Sequence, residues 1–146
     1  MKNNQFTILL ADDDEEDRML TEEAMEETDL KCQLQFVEDG EQAMEYLLNE
    51  GAFKNKTKFP LPHLILLDLN MPKKDGREVL AELKQHPTLK SIPVIALTTS
   101  SSPEDIALMY GLGVNSYITK PVSFSDMVKT INSLKQFWFE IVSLPK

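Results

Sequence analysis

Five short apolar runs, residues 7–11, 32–37, 64–67, 94–97 and 117–119, constrain this chain more than any other feature. Three of them are nearly continuous in Ile, Leu, Val and Ala, the composition of a strand buried on both faces, as in a parallel sheet covered by helices. Between the runs the apolar residues change to helical spacing. Ala43, Met44, Leu47 and Leu48 form one stripe, and Val79, Leu80 and Leu83 form another. Helix punctuation agrees with the alternation. Ser102, Pro103 and Asp105 have the order of an N-cap, a first-turn proline and an acidic third residue, and Ser123 with Asp126 repeats it. Gly111 and Gly113 stand where the fourth helix should end. Five β-α repeats with right-handed crossovers predict an α/β fold, a doubly wound five-stranded parallel sheet with helices on both faces.

A chain of 146 residues suits one domain, spanning 1–146, with one hydrophobic core. Two stretches exceed the minimal repeat. Residues 51–62 form a polar, lysine-containing loop closed by two prolines, too broken for a continuous helix. The last helix is predicted over about 124–142, with Phe124, Met127, Val128, Ile131, Leu134, Trp138 and Ile141 on one stripe.

The formal net charge of -9 argues against a nucleic-acid surface, which needs basic patches. Most of the acid reads as solvated surface, but the excess leaves room for a cation site. Cys32 is the single cysteine, so no disulfide framework or cysteine-based zinc cluster is expected, and in a strand it reads as a small buried hydrophobe. The first residues lack a signal-peptide core, and no apolar run approaches the roughly 20 residues of a membrane helix. A cytoplasmic protein without membrane attachment is the expectation.

In an open parallel sheet, ligands bind beyond the carboxyl ends of the strands. The first strand ends in Asp12-Asp13-Asp14, and the third ends in Asp68 followed by Asn70 and Pro72. The fourth ends in Thr98-Thr99-Ser100, and the fifth in Lys120-Pro121. Clustered acids disfavour their own ionisation unless a cation offsets them. Oxygen ligands without His or Cys select a hard cation, and beside a phosphate that cation is Mg²⁺. Asp12 or Asp13 with Asp68 supplies the carboxylates. Asp68 is then a candidate nucleophile for an aspartyl phosphate, with the Lys120 ammonium and the Thr98 hydroxyl on the phosphoryl oxygens. Taken singly, an Asp after a strand is a helix cap, a Lys before Pro is solvated, and a Thr at a strand end caps or packs. Their coincidence on one edge carries the functional reading. Asp14 stays open between capping the first helix and joining the metal site.

The stretches Ile8-Leu9-Leu10-Ala11-Asp12-Asp13, Leu66-Leu67-Asp68-Leu69-Asn70-Met71-Pro72 with Asp75-Gly76, Ile95-Ala96-Leu97-Thr98 and Tyr117-Ile118-Thr119-Lys120-Pro121 resemble the receiver domains of two-component response regulators. The resemblance covers the chain from Thr7 to about Leu134. It implies a flavodoxin-like receiver fold, phosphorylation of Asp68 by a histidine kinase, and Mg²⁺ bound by Asp12, Asp13, Asp68 and the backbone carbonyl of Asn70. It further implies Thr98 and Tyr117 as a switch pair and a cis peptide between Lys120 and Pro121. Tyr117 also reads simply as a half-buried strand aromatic. Thr99 is bulkier than the usual family residue there, which implies a tighter approach to the phosphoryl group.

A receiver of this kind is a phosphoacceptor that assists its own phosphorylation and dephosphorylation rather than an enzyme. With few residues beyond it, no output domain is expected, so the switch acts through a partner protein or self-association. Aromatics at Phe137-Trp138-Phe139 outrun what the sheet covers, and predict a homodimer through the C-terminal helix and the neighbouring strand edge. The loop 51–62 and the chain ending look like the single-domain regulators associated with phytochromes, which implies a phytochrome-type histidine kinase as donor. Two rivals are an aspartyl-phosphate phosphatase of the haloacid-dehalogenase type and an unphosphorylated pseudo-receiver scaffold. The first needs an acid two residues after its nucleophile, where Asp68 is followed by Asn70. The second usually lacks one of the acids or the Lys, all of which stand here.

Overall fold

The computed structural model describes residues 6–136. Strands β1 (Phe6–Ala11), β2 (Cys32–Val37), β3 (Leu64–Leu67), β4 (Val94–Thr98) and β5 (Ser116–Thr119) alternate with helices α1 (Glu15–Glu27), α2 (Gly40–Leu48), α3 (Gly76–Gln85), α4 (Pro103–Gly111) and α5 (Phe124–Gln136). The strands form one parallel sheet in the order β2-β1-β3-β4-β5. The predicted fold class is therefore the observed one, with strand boundaries moved by one residue at Phe6, Thr98 and Ser116.

Alternation along the strands assigns each side chain to one of two cores. Leu9, Ala11, Ile65, Leu67, Val94 and Ala96 face one side, where α2, α3 and α4 pack through residues such as Leu47, Leu80 and Met109. Ile8, Leu10, Leu64, Leu66, Ile95 and Leu97 face the other, covered by α1 and α5 through Ala24, Met25, Met127 and Ile131. β1, β3 and β4 are buried throughout because both faces are covered. Cys32 is only partly buried, on edge strand β2. Burial pushes its thiol up to about 11, which leaves it an unreactive packing residue.

Caps form largely at the predicted residues. Ser102 accepts a hydrogen bond from the Asp105 amide and Ser123 from the Asp126 amide. α4 ends at Gly111, and Gly113 adopts φ 104°, the left-handed geometry that a Cβ disfavours. Two apolar-stripe assignments are corrected. Leu48, in the last turn of α2, is 38% exposed, and Phe124, at the first turn of α5, is 40% exposed. Each is the terminal residue of its helix. Trp138, Ile141 and the aromatic run at 137–139 lie outside the described residues.

The loop 51–62 is built rather than slack. Phe53 and Phe59 pack edge-on at 5.0 Å and flank Tyr46 of α2. The Tyr46 hydroxyl donates to the Pro60 carbonyl (2.8 Å), and Asn49 Nδ2 donates to the carbonyls of Phe53 and Phe59. No helix among the described residues is long and apolar enough to cross a membrane.

Candidate functional site

The carboxyl ends of β1, β3, β4 and β5 converge on an acidic pocket. Ladder hydrogen bonds run to its rim: the Asp12 amide donates to the Val37 carbonyl, the Asp68 amide to Ala11, and the Lys120 amide to Thr98. The site residues are thus held by sheet pairing rather than by free loops. Asp12 and Asp68 are buried and Asp13 is exposed, and one carboxylate oxygen from each lies within 4.8 Å of the others. An all-oxygen group of that size, open on one side, fits a hard divalent cation with remaining positions for water and phosphate.

Lys120 reaches into the same pocket with its side chain 6% exposed. Its Nζ lies 2.7 Å from Asp12 Oδ2, 2.7 Å from Asp17 Oδ2 and 3.1 Å from Asp68 Oδ2. Burial alone would lower the Lys120 pKa. Hydrogen bonds to Asp12 and Asp17, with the nearby charges of Asp68 and Asp12, outweigh it and hold the ammonium above its ordinary range. One ammonium does not neutralise three carboxylates. Burial, aided by the charge of Asp68, therefore pushes Asp12 up to about 6 despite hydrogen bonds from Lys120 and the Asp14 amide.

The pocket floor depends on close backbone packing. Asp75 caps α3 by accepting from the Arg77 and Glu78 amides, while Glu78 reaches back to the Asp75 amide. The Gly76 amide donates to the Leu69 carbonyl (2.8 Å), and a Cβ at Gly76 would stand 2.2 Å from the Asp68 carbonyl oxygen. Only glycine permits that approach. Asn70, whose carbonyl is the expected further metal ligand, is exposed beside the acids, and its amide points to Asp68 Oδ1 at 3.4 Å.

Asp14 resolves as a cap: its Oδ1 accepts from the Glu16 and Asp17 amides, and it stands outside the three-carboxylate group. The expected cis peptide at Lys120-Pro121 is corrected, since no cis bond occurs among the described residues. The trans form is the lower in energy even before proline, by about 0.5–1 kcal/mol, and Lys120 reaches all three acids in it. Thr98 is fully buried and its Oγ1 accepts a long bond from the Ser100 amide (3.4 Å). Among the described residues it makes no hydrogen bond to Asp68. Thr99 is exposed.

Tyr117 is half-buried against the α2–α3–α4 core, and its hydroxyl donates to the Ser100 carbonyl (2.8 Å). The Ser100 hydroxyl donates to Asp105 Oδ2 (2.6 Å), and Arg77 Nη2 donates to Asp105 Oδ1 (2.7 Å). Those bonds, from Ser100 first and then Arg77, hold the Asp105 carboxyl below its usual range. This chain of bonds ties α3, α4 and β5 together beside Thr98 and Tyr117. Sequence reading placed Asp105 only as a cap-region acid and passed over Arg77, Asp17 and Arg18. Arg18 Nη1 donates to the Asp12 carbonyl (2.7 Å). No spacing rule ties these residues together, because their partners lie on other elements.

A doubly wound sheet with paired acids, a carboxylate nucleophile candidate and a buried lysine on one edge defines a phosphoacceptor class of α/β domain. Residues 8–132 match the response regulator receiver domain family, and the chain belongs to it. It is 46% identical over 143 residues to the response regulator Rcp1 of Synechocystis, covering 98% of this chain and 95% of that protein. Among solved structures, the phosphorylated cyanobacterial phytochrome response regulator RcpA superposes with a TM-score of 0.88 at 44% identity, covering 97% and 99% of the two chains. The Mn²⁺-bound form of Rcp1 superposes with 0.86 at 45% identity, with the same coverage.

Proposed function

We propose that Asp68 is the phosphoacceptor of a single receiver domain spanning residues 1–146, loaded from a sensor histidine kinase with Mg²⁺ as the cation. The observation that carries this is the buried Lys120 ammonium 3.1 Å from Asp68 Oδ2, beside the carboxylate group of Asp12, Asp13 and Asp68. An Asp68 oxygen attacks the phosphorus of a phosphohistidine. The O–P bond forms as the P–N bond breaks, and the electron pair leaves with the imidazole, which takes up a proton. Asp12, Asp13, Asp68 and the Asn70 carbonyl would hold the cation, which would supply charge neutralisation to the transferring group. Lys120 meets one phosphoryl oxygen, and the Thr98 hydroxyl donates to another.

Moving Thr98 toward the phosphoryl group changes the space and hydrogen bonding available to Tyr117, two bonds away through Ser100. Phosphorylation thereby biases a two-state equilibrium read by a partner protein. The likeness to RcpA, a phytochrome response regulator, supports a phytochrome-type kinase as donor. The net charge of -9 supports protein partners over nucleic acid, and a cytoplasmic location away from membranes is part of the proposal. Self-association through the C-terminal helix region belongs to the same reading.

Asp68→Asn is expected to abolish labelling by acetyl phosphate with Mg²⁺, read by intact mass. Labelling of the variant at the wild-type rate would overturn the assignment. Turnover of many phosphoesters per molecule would instead point to the phosphatase rival, and no response of Tyr117 resonances to beryllofluoride would point to the scaffold.

A further inference from the structure

Lys120 has three ammonium hydrogens and three carboxylate partners, and these partners are not equivalent. Asp12 and Asp68 belong to the group within 4.8 Å that suits a cation, whereas Asp17 does not. Asp17 sits in the first turn of α1, where the Asp14 cap begins the helix, with its side chain about one-third exposed (32%). A divalent cation in the pocket draws on Asp12 and Asp68 and repels the ammonium that shares them. Asp17 is then the one carboxylate still reserved for Lys120. Its oxygen already lies as close as that of Asp12, at 2.7 Å.

We infer that Asp17 is a positioning residue, an anchor that keeps the Lys120 ammonium in the pocket and frees Asp12 and Asp68 for the cation. The inference rests on the phosphoacceptor reading above. Without Asp17, Lys120 leans on Asp12 and Asp68 and competes with the cation for them. With the cation bound, the ammonium has no fixed counter-charge and strays from the phosphoryl oxygens. Both effects act in the same direction, against loading.

The test compares Asp17→Asn with Glu16→Gln, which removes an equal charge from an exposed acid on the same turn that accepts nothing from Lys120. Mn²⁺ affinity is read from the free-ion electron paramagnetic resonance signal, and loading from acetyl phosphate at saturating Mn²⁺ by intact mass. Asp17→Asn is expected to weaken Mn²⁺ several-fold and slow loading about tenfold, the scale of one charge-assisted hydrogen bond. Asp17→Glu should recover part of both. In a Lys120→Met background, Asp17→Asn should weaken Mn²⁺ no more than Glu16→Gln does. Equal behaviour of Asp17→Asn and Glu16→Gln in the native background would overturn the anchor. So would an Asp17 effect that persists undiminished without Lys120. Failure of the wild-type protein to load at all would instead overturn the phosphoacceptor reading.

Discussion

At the scale of single residues the pocket is a problem of charge count: Lys120 is one cation among Asp12, Asp17 and Asp68. Burial, with the charge of Asp68 added to it, raises the Asp12 pKa from 3.8 to about 6. Between those two values the folded protein holds a proton that the unfolded chain has released. Stability of the metal-free protein therefore increases as pH falls through about 6 toward 4, and the charged carboxylate is a cost above that window. With chelator present, the gain in unfolding free energy between about pH 7.5 and pH 5 should be smaller in Asp12→Asn by about 1 kcal/mol. Denaturant melts at the two pH values measure it. An identical pH dependence in both proteins would show that Asp12 does not carry the strain. The same arrangement explains why a cation is welcome: it supplies the charge that Lys120 lacks.

Among the elements, α3 is packed directly onto the phosphoacceptor loop. Its first residue, Gly76, meets the backbone of Asp68, and the Asp75–Glu78 capping box fixes its start. Gly76→Ala puts a methyl 2.2 Å from the Asp68 carbonyl oxygen, so helix and loop must separate. A loss of about 2 kcal/mol or more is expected from chemical denaturation, with slower Asp68 loading in the molecules that fold. A fully stable, fully active variant would mean that the β3–α3 junction yields easily. The loop 51–62 is set by a different interaction. Its aromatic pair and the Tyr46 hydroxyl anchor it to α2, at the end of the sheet away from the pocket, so it leaves the acids untouched.

For the whole molecule, the parallel sheet divides its helices two and three, and the acids collect where β1 and β3 lie side by side at its centre. Apolar side chains stay exposed on the elements that border β5, with Leu108 and Tyr110 on α4, Val122 after β5 and Phe124 opening α5. β5 is an edge strand of the sheet, the edge at which the C-terminal aromatics predict self-association. Sedimentation of the full chain should give a weight-average mass that rises with concentration. A mass fixed at the monomer, with and without beryllofluoride, would refute the dimer.

Residue order alone determined the five strands, the placing of Asp12, Asp13, Asp68, Thr98 and Lys120 on one edge, and most helix starts. These follow from local periodicity and from the rule that parallel strands end on a common side. Tertiary structure decided the partners. Asp17 looks like one more first-turn acid until β5 brings Lys120 within 2.7 Å, across 103 residues of chain. Arg77 and Asp105 meet only because α3 and α4 share a sheet face. Asp14 became a cap and the Lys120-Pro121 bond trans through geometry that composition does not encode. Contacts made at long range carry no period, and the pairing of one buried ammonium with a particular third acid is such a contact.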